Sequence, residues 1–237
     1  MKILVIAAHP DDEVLGMGGT ICKYTKNGHK VKIVIMATGI FARRSSDFVN
    51  NQKYEISKQT ENEMSKQVVE LRKDAKKSAK IMGVSDIEFF DFPDNEMDTV
   101  PILQVIKTLE NIIAEFKPDT VYTHSRYDVN IDHRILYDAT LVATRPISGT
   151  TVKKVISFEV PSSTEWYFPS QFSPNVFEDI SNELTKKKNA LKSYKTEIRK
   201  YPHPRSDDAL DVIAKKWGTV CGCKSAEAFY LVRELNF

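Results

Sequence analysis

The chain has 237 residues, of which 34 are basic and 32 acidic, so its formal net charge at pH 7 is only +2. This length suffices for a substantial hydrophobic core, and 41% hydrophobic with 28% charged residues is typical of a soluble globular protein. The balanced charge gives no reason to expect a nucleic-acid partner, no apolar run is long enough to span a membrane, and three cysteines do not make a disulfide framework, so we expect a cytoplasmic protein.

An apolar run over residues 2–8 stops at a polar cluster, His-Pro-Asp-Asp-Glu, at residues 9–13. A continuous apolar run ended by a polar turn predicts a strand that is buried on both faces, as in a parallel sheet. The cluster then lies at the carboxyl end of the first strand, where open α/β sheets bind ligands. Three carboxylates and an imidazole this close together favour a divalent metal. The alternative is that Asp11 or Asp12 only caps the helix that follows.

The spacing within this cluster suggests separate roles for neighbouring side chains. His9 and Asp12 are three residues apart across a turn, so both can point at one ion. Asp11 lies between them and would be left beside a water molecule at the metal. Two ligands with a carboxylate base next to the water are what a metal-dependent hydrolase needs.

The segment AHPDDE after the first strand, followed by GMGGT, resembles the signature of the PIG-L/LmbE family of zinc-dependent N-acetyl-sugar deacetylases. Later motifs match as well, so the resemblance extends over nearly the whole chain. It implies a hydrolase that removes the acetyl group from an N-acetylglucosamine-type sugar and uses Zn²⁺ as its cofactor. The nitrogen and oxygen ligands do not exclude iron, cobalt or manganese.

A helix is predicted over residues 14–28 and a second buried strand over residues 31–37. The polar segment at residues 40–60 leaves the carboxyl edge of that strand and is placed to form a flap over the site. Arg43 or Arg44 would then meet a phosphate on the substrate. The alternative is an ordinary solvated loop.

An amphipathic helix is predicted over residues 61–82, and it resembles the arginine-bearing helix of the family. The family's substrate-contacting arginine aligns with Leu71, so the neighbouring Arg72 is the candidate. A third strand at residues 87–90 leads to Asp94, which is a candidate for binding sugar hydroxyls. The alternative for Asp94 is a turn-forming acid.

A fourth strand is predicted at residues 120–123, and the polar segment HSRYDVNIDHR follows it. His133 opens the next helix, so its ring can face the first strand and complete a metal triad with His9 and Asp12, with one position open for water. Asp128 is a candidate to orient His133 or a neighbour, and it is counted among the residues expected around the substrate.

The family usually has His-x-Asp-His in this segment, whereas the first position here is Asn130. An asparagine can donate a hydrogen bond to a developing oxyanion but cannot deliver a proton. Either Asp11 passes its acquired proton to the leaving amine, or a histidine supplies it. His124 and His203 are the candidates.

A fifth strand is predicted at residues 151–160, and Trp166 follows among hydroxyl side chains, either as a stacking surface for a sugar or as part of the core. Residues 181–199 are predicted to form a basic helix. The next segment contains two prolines and resembles the carbohydrate-deacetylase branch, in which it approaches the site, sometimes from a neighbouring subunit. His203 would be the acid and Arg205 a substrate anchor, so a homo-oligomer is possible.

The sequence therefore predicts one α/β domain over residues 1–237, a Rossmann-like three-layer sandwich with a mostly parallel sheet of about five strands and helices on both faces. From about residue 181 the chain is expected to be a helical appendage that contributes to the site. The expected function is metal-dependent deacetylation of a small amino-sugar substrate. The alternatives are a metallo-amidase acting on a non-sugar N-acyl or thiol conjugate, and a non-catalytic sugar- or nucleotide-binding domain, against which stands the absent phosphate-binding fingerprint.

Overall fold

Seven strands form one sheet in a computed structural model that describes residues 1–43, 57–169 and 171–236. The order across the sheet is β3-β2-β1-β4-β5-β7-β6. The first five strands along the chain run parallel, whereas β7 is antiparallel to both β5 and β6. The strands are β1 (Lys2–Ala7), β2 (Lys30–Ala37), β3 (Asp86–Phe92), β4 (Thr120–His124), β5 (Lys154–Phe158), β6 (Val176–Asp179) and β7 (Ala226–Glu234).

Helices cover both faces of this sheet. One face packs against α1, α2 and α5, and the other packs against α3 and α4, while α6 lies against β7. The helices are α1 (Asp12–Lys26), α2 (Lys58–Met82), α3 (Ile102–Phe116), α4 (Ile131–Ala143), α5 (Leu184–Leu191) and α6 (Asp207–Cys221). The predicted three-layer α/β sandwich is confirmed. In the described part of the chain, no helix has the length and apolar character needed to cross a membrane.

The first strand shows why the sheet is buried on both sides. Ile3 and Val5 face one hydrophobic cluster and Leu4 and Ile6 face the other, and all four are almost fully inaccessible to solvent. A strand in the middle of a parallel sheet needs apolar side chains on both faces, so its sequence is a continuous apolar run. The prediction from residues 2–8 is therefore confirmed, and the polar cluster lies at the carboxyl edge.

The sheet has two more strands than the sequence predicted. One of the additional strands is β7, which begins at Ala226 and runs to Glu234. Its apolar segment at residues 228–232 is flanked by the charged residues Glu227, Arg233 and Glu234, and it was not predicted to be a strand. The basic helix expected over residues 181–199 is limited to α5. Most of the flap expected at residues 40–60, including Arg44, lies outside the described residues.

The glycine-rich part of α1 is packed too tightly for larger side chains. The helix is broken at Met17, where φ is −148° and ψ is 24°. A Cβ atom on Gly16 would lie 2.4 Å from the ring of Phe158, and one on Gly19 would lie 2.8 Å from Ile180. Close packing, and not phosphate binding, therefore accounts for these glycines.

Candidate active site

The two polar clusters meet at the carboxyl edge of the sheet because β1 and β4 are adjacent. Ile3 pairs with Thr120 and Val5 with Tyr122, so both strands end at the same level. His9 and Asp12 follow β1, and His133 lies in the first turn of α4 after β4. The fold thus brings together the three residues that the sequence proposed as metal ligands.

The three side chains point at one another. Asp12 Oδ2 lies 3.3 Å from His9 Nδ1 and 3.2 Å from His133 Nε2. Their ligand atoms fall within 4.8 Å of one another. Asp12 and His133 are each only 1% exposed, and Asp12 Oδ1 has no hydrogen-bond partner among the described residues. A buried carboxylate oxygen without a partner is costly, and a cation bound between these atoms would satisfy it, so the residues fit a divalent metal.

Other carboxylates contact the ring nitrogen of each histidine that points away from Asp12. His9 Nε2 lies 3.0 Å from Asp132 Oδ2 and 3.1 Å from Asp94 Oδ1, and His133 Nδ1 lies 3.0 Å from Asp128 Oδ2. Metal-binding histidines commonly donate the other ring N–H to a carboxylate, which fixes the ring and its tautomer. This pairing leaves His9 Nδ1 and His133 Nε2 directed at Asp12. The predicted contact between Asp128 and His133 is present.

Asp94 contacts His9, which the sequence did not predict. It is only 3% exposed, and its second oxygen accepts a hydrogen bond from the backbone N–H of Ala42 at 2.9 Å. With His9 and Asp132 it makes another group whose ligand atoms lie within 4.8 Å. Since both carboxylates approach the same nitrogen of His9, we interpret this second group as support for the ring. Its predicted contact with sugar hydroxyls stays a prediction.

The cluster carries an excess of negative charge. Burial alone would lower the pKa of His133, but Asp12 and Asp128 outweigh it and raise that pKa to about 9. Burial also opposes protonation of His9, yet its hydrogen bonds to Asp12, Asp132 and Asp94 raise its pKa well above the usual value. The carboxylates therefore favour positive charge at both rings. A divalent ion supplies the same positive charge at the same place.

His124 packs against the proposed metal ligand His133. It is completely buried, its ring stacks on that of His133 with centroids 3.9 Å apart, and its Nε2 accepts a hydrogen bond from the backbone of Ala8 at 2.8 Å. Burial and the charge of His133 keep its pKa well below the usual value. A completely buried ring that packs against His133 is poorly placed to be the acid that protonates an amine.

Asp11, the expected base, adopts a strained backbone conformation. Its φ of 110° lies in the left-handed region, and its side chain makes no capping hydrogen bond to α1. Its own N–H donates to Glu13 Oε2 at 3.1 Å, and Tyr194 holds the other oxygen of Glu13. Such conformations cost about 1–3 kcal/mol and cluster at functional sites. Capping therefore does not account for Asp11.

An arginine faces the carboxylate of Asp11. Arg205 Nη1 lies 3.0 Å from Asp11 Oδ2, and the carboxylate is 1% exposed. Burial and the neighbouring carboxylates raise the pKa of Asp11 well above its usual value, although Arg205 opposes them. Raised proton affinity suits a group that must accept a proton from water.

A buried glutamate joins two of the predicted substrate contacts. Glu197 is 1% exposed and accepts hydrogen bonds from Arg43 at 2.7 Å and from Arg205 at 3.2 Å. Arg205 also donates to Ser162 at 2.7 Å. Sequence reasoning missed Glu197, since it follows a lysine-rich stretch and carries no motif.

Three further predicted residues, Asn130, His203 and Trp166, differ in their contacts and exposure. Asn130 caps α4 through Oδ1 and donates from Nδ2 to Asn95 at 2.8 Å. His203 accepts a hydrogen bond from the backbone of Arg205, and its ring lies 6.2 Å from that of Trp166. Trp166 is 46% exposed, so the alternative of interior packing is wrong.

Arg72 is separated from the triad and its charge is already paired. Its guanidinium contacts the carboxylate of Asp91 and donates to the carbonyl of Phe90 at 2.8 Å. Together with Thr38 and Asp94 it lines a groove of about 480 Å³ next to the site. A role in binding the substrate stays a prediction for this residue.

We expect Asp128→Asn to lower the affinity for the metal by about 10- to 100-fold, because an amide holds the His133 N–H less strongly than a carboxylate does. Metal content after dialysis against buffers of defined free zinc measures this effect. Asp138→Asn, on the exposed side of α4, the helix that carries His133, is the matched control. An unchanged affinity in a folded Asp128→Asn protein would contradict the assignment of His133 as a ligand.

Comparison with known proteins shows which family the chain belongs to. A family model described as "PIG-L: GlcNAc-PI de-N-acetylase" matches residues 4–144, which is more than half of the chain. The chain belongs to the PIG-L family. The matched region contains His9, Asp11, Asp12 and His133, whereas Arg205 and His203 lie beyond it.

Two known proteins resemble the chain over most of its length. The deacetylase YaiS of Escherichia coli is 28% identical over 200 residues, which cover 82% of this chain and 90% of that protein. The diacetylchitobiose deacetylase of Thermococcus kodakarensis is 26% identical over 241 residues, 98% of this chain and 83% of that protein.

A solved structure shares the fold. The N,N'-diacetylchitobiose deacetylase of Pyrococcus horikoshii superposes with a TM-score of 0.75 at 22% identity, covering 98% of this chain and 84% of that one. The predicted family, the α/β fold and the enzyme class, a deacetylase that acts as a hydrolase, are thus confirmed.

Proposed function

We propose that this PIG-L family member removes the N-acetyl group from an amino sugar or an amino-sugar conjugate, with a metal held by His9, Asp12 and His133. The observation that carries the proposal is the buried triad whose ligand atoms converge within 4.8 Å while one oxygen of Asp12 has no partner. The names of the relatives support a sugar as substrate, since one of them acts on diacetylchitobiose.

The cofactor in this proposal is one divalent ion per chain, zinc first. When bound, the ion supplies a Lewis acid that polarises the acetamide carbonyl and makes water more acidic. Imidazole and carboxylate ligands suit zinc and also suit iron, cobalt and manganese. The chain's own contribution is to hold the two imidazoles in place through Asp128, Asp132 and Asp94.

Asp11 takes the proton from the attacking water in this proposal. Arg205 fixes the carboxylate at 3.0 Å, and Glu13 fixes the backbone through the Asp11 N–H. Asn130 would stabilise the oxyanion through its amide, for which Nδ2 must leave Asn95. His203 would return a proton to the leaving amine. The contact of Arg205 with Asp11 in the same chain supports a site that this segment completes from its own subunit, and a homo-oligomer stays a prediction.

The proposed substrate-binding residues surround this centre. Trp166 presents an exposed ring on which a sugar can stack. Arg43 is linked to Arg205 through the carboxylate of Glu197. Arg72 and Asp94 would line the neighbouring groove, and Arg205 would contact both Asp11 and the substrate. A single-domain organisation over residues 1–237 and a cytoplasmic location remain predictions.

Metal content and acetate release from one purified sample test this function. We expect about one zinc ion per chain and acetate release from N-acetylglucosamine or N,N'-diacetylchitobiose. Removal of the ion by a chelator should abolish release, and added zinc should restore it. N-acetylcysteine is the non-sugar control, since a metallo-amidase for thiol conjugates would prefer it. A protein that retains no metal and gains no activity from any of the four candidate metals would overturn the proposal.

A further inference from the structure

A second cavity lies beside α4 on the face of the sheet opposite α1. Its volume is about 390 Å³, and its lining includes Arg126, Tyr127, Tyr137, Ser157, Phe172 and Tyr230. Ser157 on β5 and Tyr230 on β7 are register partners, so the two side chains emerge next to each other from adjacent strands. None of the proposed metal ligands or catalytic residues belongs to this lining.

Several polar groups of this cavity have no partner in the described part of the chain. The side chains of Arg126, Tyr137, Ser157 and Tyr230 make no hydrogen bond or ion pair within residues 1–43, 57–169 and 171–236. Ser157 is 3% exposed and Tyr137 8%, whereas Arg126 and Tyr230 are exposed. A polar ligand in the cavity would supply partners for the two buried hydroxyls, and the exposed groups are free to contact it.

The charge of the cavity is opposite to that of the metal site. Among the described residues that line it, Arg126 is the only one with a charged side chain and none is a carboxylate. Burial and the neighbouring Asp138 raise the pKa of Tyr137, whereas Arg126 lowers it. An anion is therefore attracted to this cavity, while the carboxylates around Asp12 would repel it.

We propose that this cavity binds a sugar ring that carries a carboxylate or phosphate group, at a place separate from the sugar that is deacetylated. The guanidinium of Arg126 would pair with the anion. The rings of Tyr127, Phe172 and Tyr230 provide apolar walls for the face of a sugar. The hydroxyls of Tyr137 and Ser157 meet ring hydroxyls. A volume of about 390 Å³ suits a ligand of this size.

Isothermal titration calorimetry tests the proposal with three probes, glucose 6-phosphate, glucuronate and uncharged glucose. We expect saturable binding of at least one charged probe and much weaker binding of glucose. The charged probe that binds more tightly identifies the anion as phosphate or carboxylate. Arg126→Gln should weaken binding of the charged probe by roughly tenfold or more, because a charge-assisted hydrogen bond is lost. Tyr137→Phe should weaken it severalfold, because it loses the hydroxyl that meets the sugar.

Arg145→Gln is the matched control, since Arg145 pairs with Glu110 and does not line the cavity. We expect it to bind the charged probe as the unmodified protein does. Asp11→Asn should also keep this binding although it loses turnover, which separates the cavity from the metal site. Binding that Asp11→Asn abolishes, an affinity that Arg126→Gln leaves unchanged, or equal affinity for glucose would overturn the proposal, as would a failure of both charged probes to bind.

Discussion

Asp11→Asn is expected to lower kcat for acetate release by roughly 10²- to 10⁴-fold, the usual contribution of a general base. The amide cannot accept the proton that water must lose. Asparagine has nearly the same size, and it adopts the left-handed backbone conformation that Asp11 shows at a φ of 110° more readily than most residues. The fold should therefore persist, and the metal content should stay near that of the unmodified protein.

Asp12→Asn provides the contrast to this variant. Asp12 lies within ion-pair distance of both histidines, so the loss of its charge should remove the metal together with the activity. The two neighbouring substitutions are thus expected to separate a residue that acts on the water from a residue that binds the ion. If Asp11→Asn kept its activity within tenfold, or lost its metal, Asp11 would not be the base.

The metal triad was predictable because its members follow strands. A buried parallel strand has a continuous apolar sequence, and the polar residues after it lie at the carboxyl edge. Two such strands, β1 and β4, were visible in the sequence, and their adjacency brought His133 to His9 and Asp12. The carboxylates that contact His9 Nε2 and His133 Nδ1 were only partly predictable. Asp128 shares a motif with His133, whereas Asp94 reaches His9 from a loop after β3.

The contacts of Arg205 and Glu197 illustrate what the sequence could not provide. The segment around His203 was expected near the site from its resemblance to carbohydrate deacetylases, but no local pattern indicated that Arg205 would face Asp11. Glu197 links two arginines that are far apart in the chain, and a single charged residue gives no signal of burial. Such pairs depend on how distant segments pack together.

The terminal strand was missed for a similar reason. A strand is recognised from apolar side chains, yet β7 contains Glu227, a buried carboxylate that is only 4% exposed. The buried position of Glu227 is explained by its hydrogen bonds to α1. The break at Met17 frees backbone groups of that helix, and Glu227 accepts hydrogen bonds from the N–H groups of Gly19 at 2.9 Å and Thr20 at 2.7 Å. The glycines of the first motif and the acid near the end of the chain therefore form one structural unit.

Glu227→Leu is expected to lower the free energy of unfolding by about 3–5 kcal/mol, the usual cost of breaking a buried ion pair. Lys187 Nζ lies 2.6 Å from the carboxylate and is itself 5% exposed, so its charge would be left buried. At about 2–4 °C per kcal/mol for a chain of this size, the midpoint of thermal unfolding should fall by roughly 10 °C. Denaturant unfolding of the metal-loaded protein measures the free energy directly.

Glu234→Gln on the same strand is the matched control. Glu234 pairs with Lys154 at the surface, where both side chains are at least 31% exposed, so its loss should change the free energy of unfolding by less than about 1 kcal/mol. A similarly small effect of Glu227→Leu would show that Lys187 can reach water or another partner, and that the pair does not hold the broken helix.

The double variant Lys187→Met/Glu227→Leu separates the two parts of this cost. It removes the buried charge, so it should recover part of the stability that Glu227→Leu loses. It cannot recover all of it, because the N–H groups of Gly19 and Thr20 and the carbonyl of Leu15, which Lys187 contacts at 2.8 Å, lose their partners. Full recovery would mean that the helix closes its own hydrogen bonds without the pair. Partial recovery, with a coupling energy between the two single substitutions, would show that Glu227 and Lys187 together replace the hydrogen bonds that the glycine-rich break removes from α1.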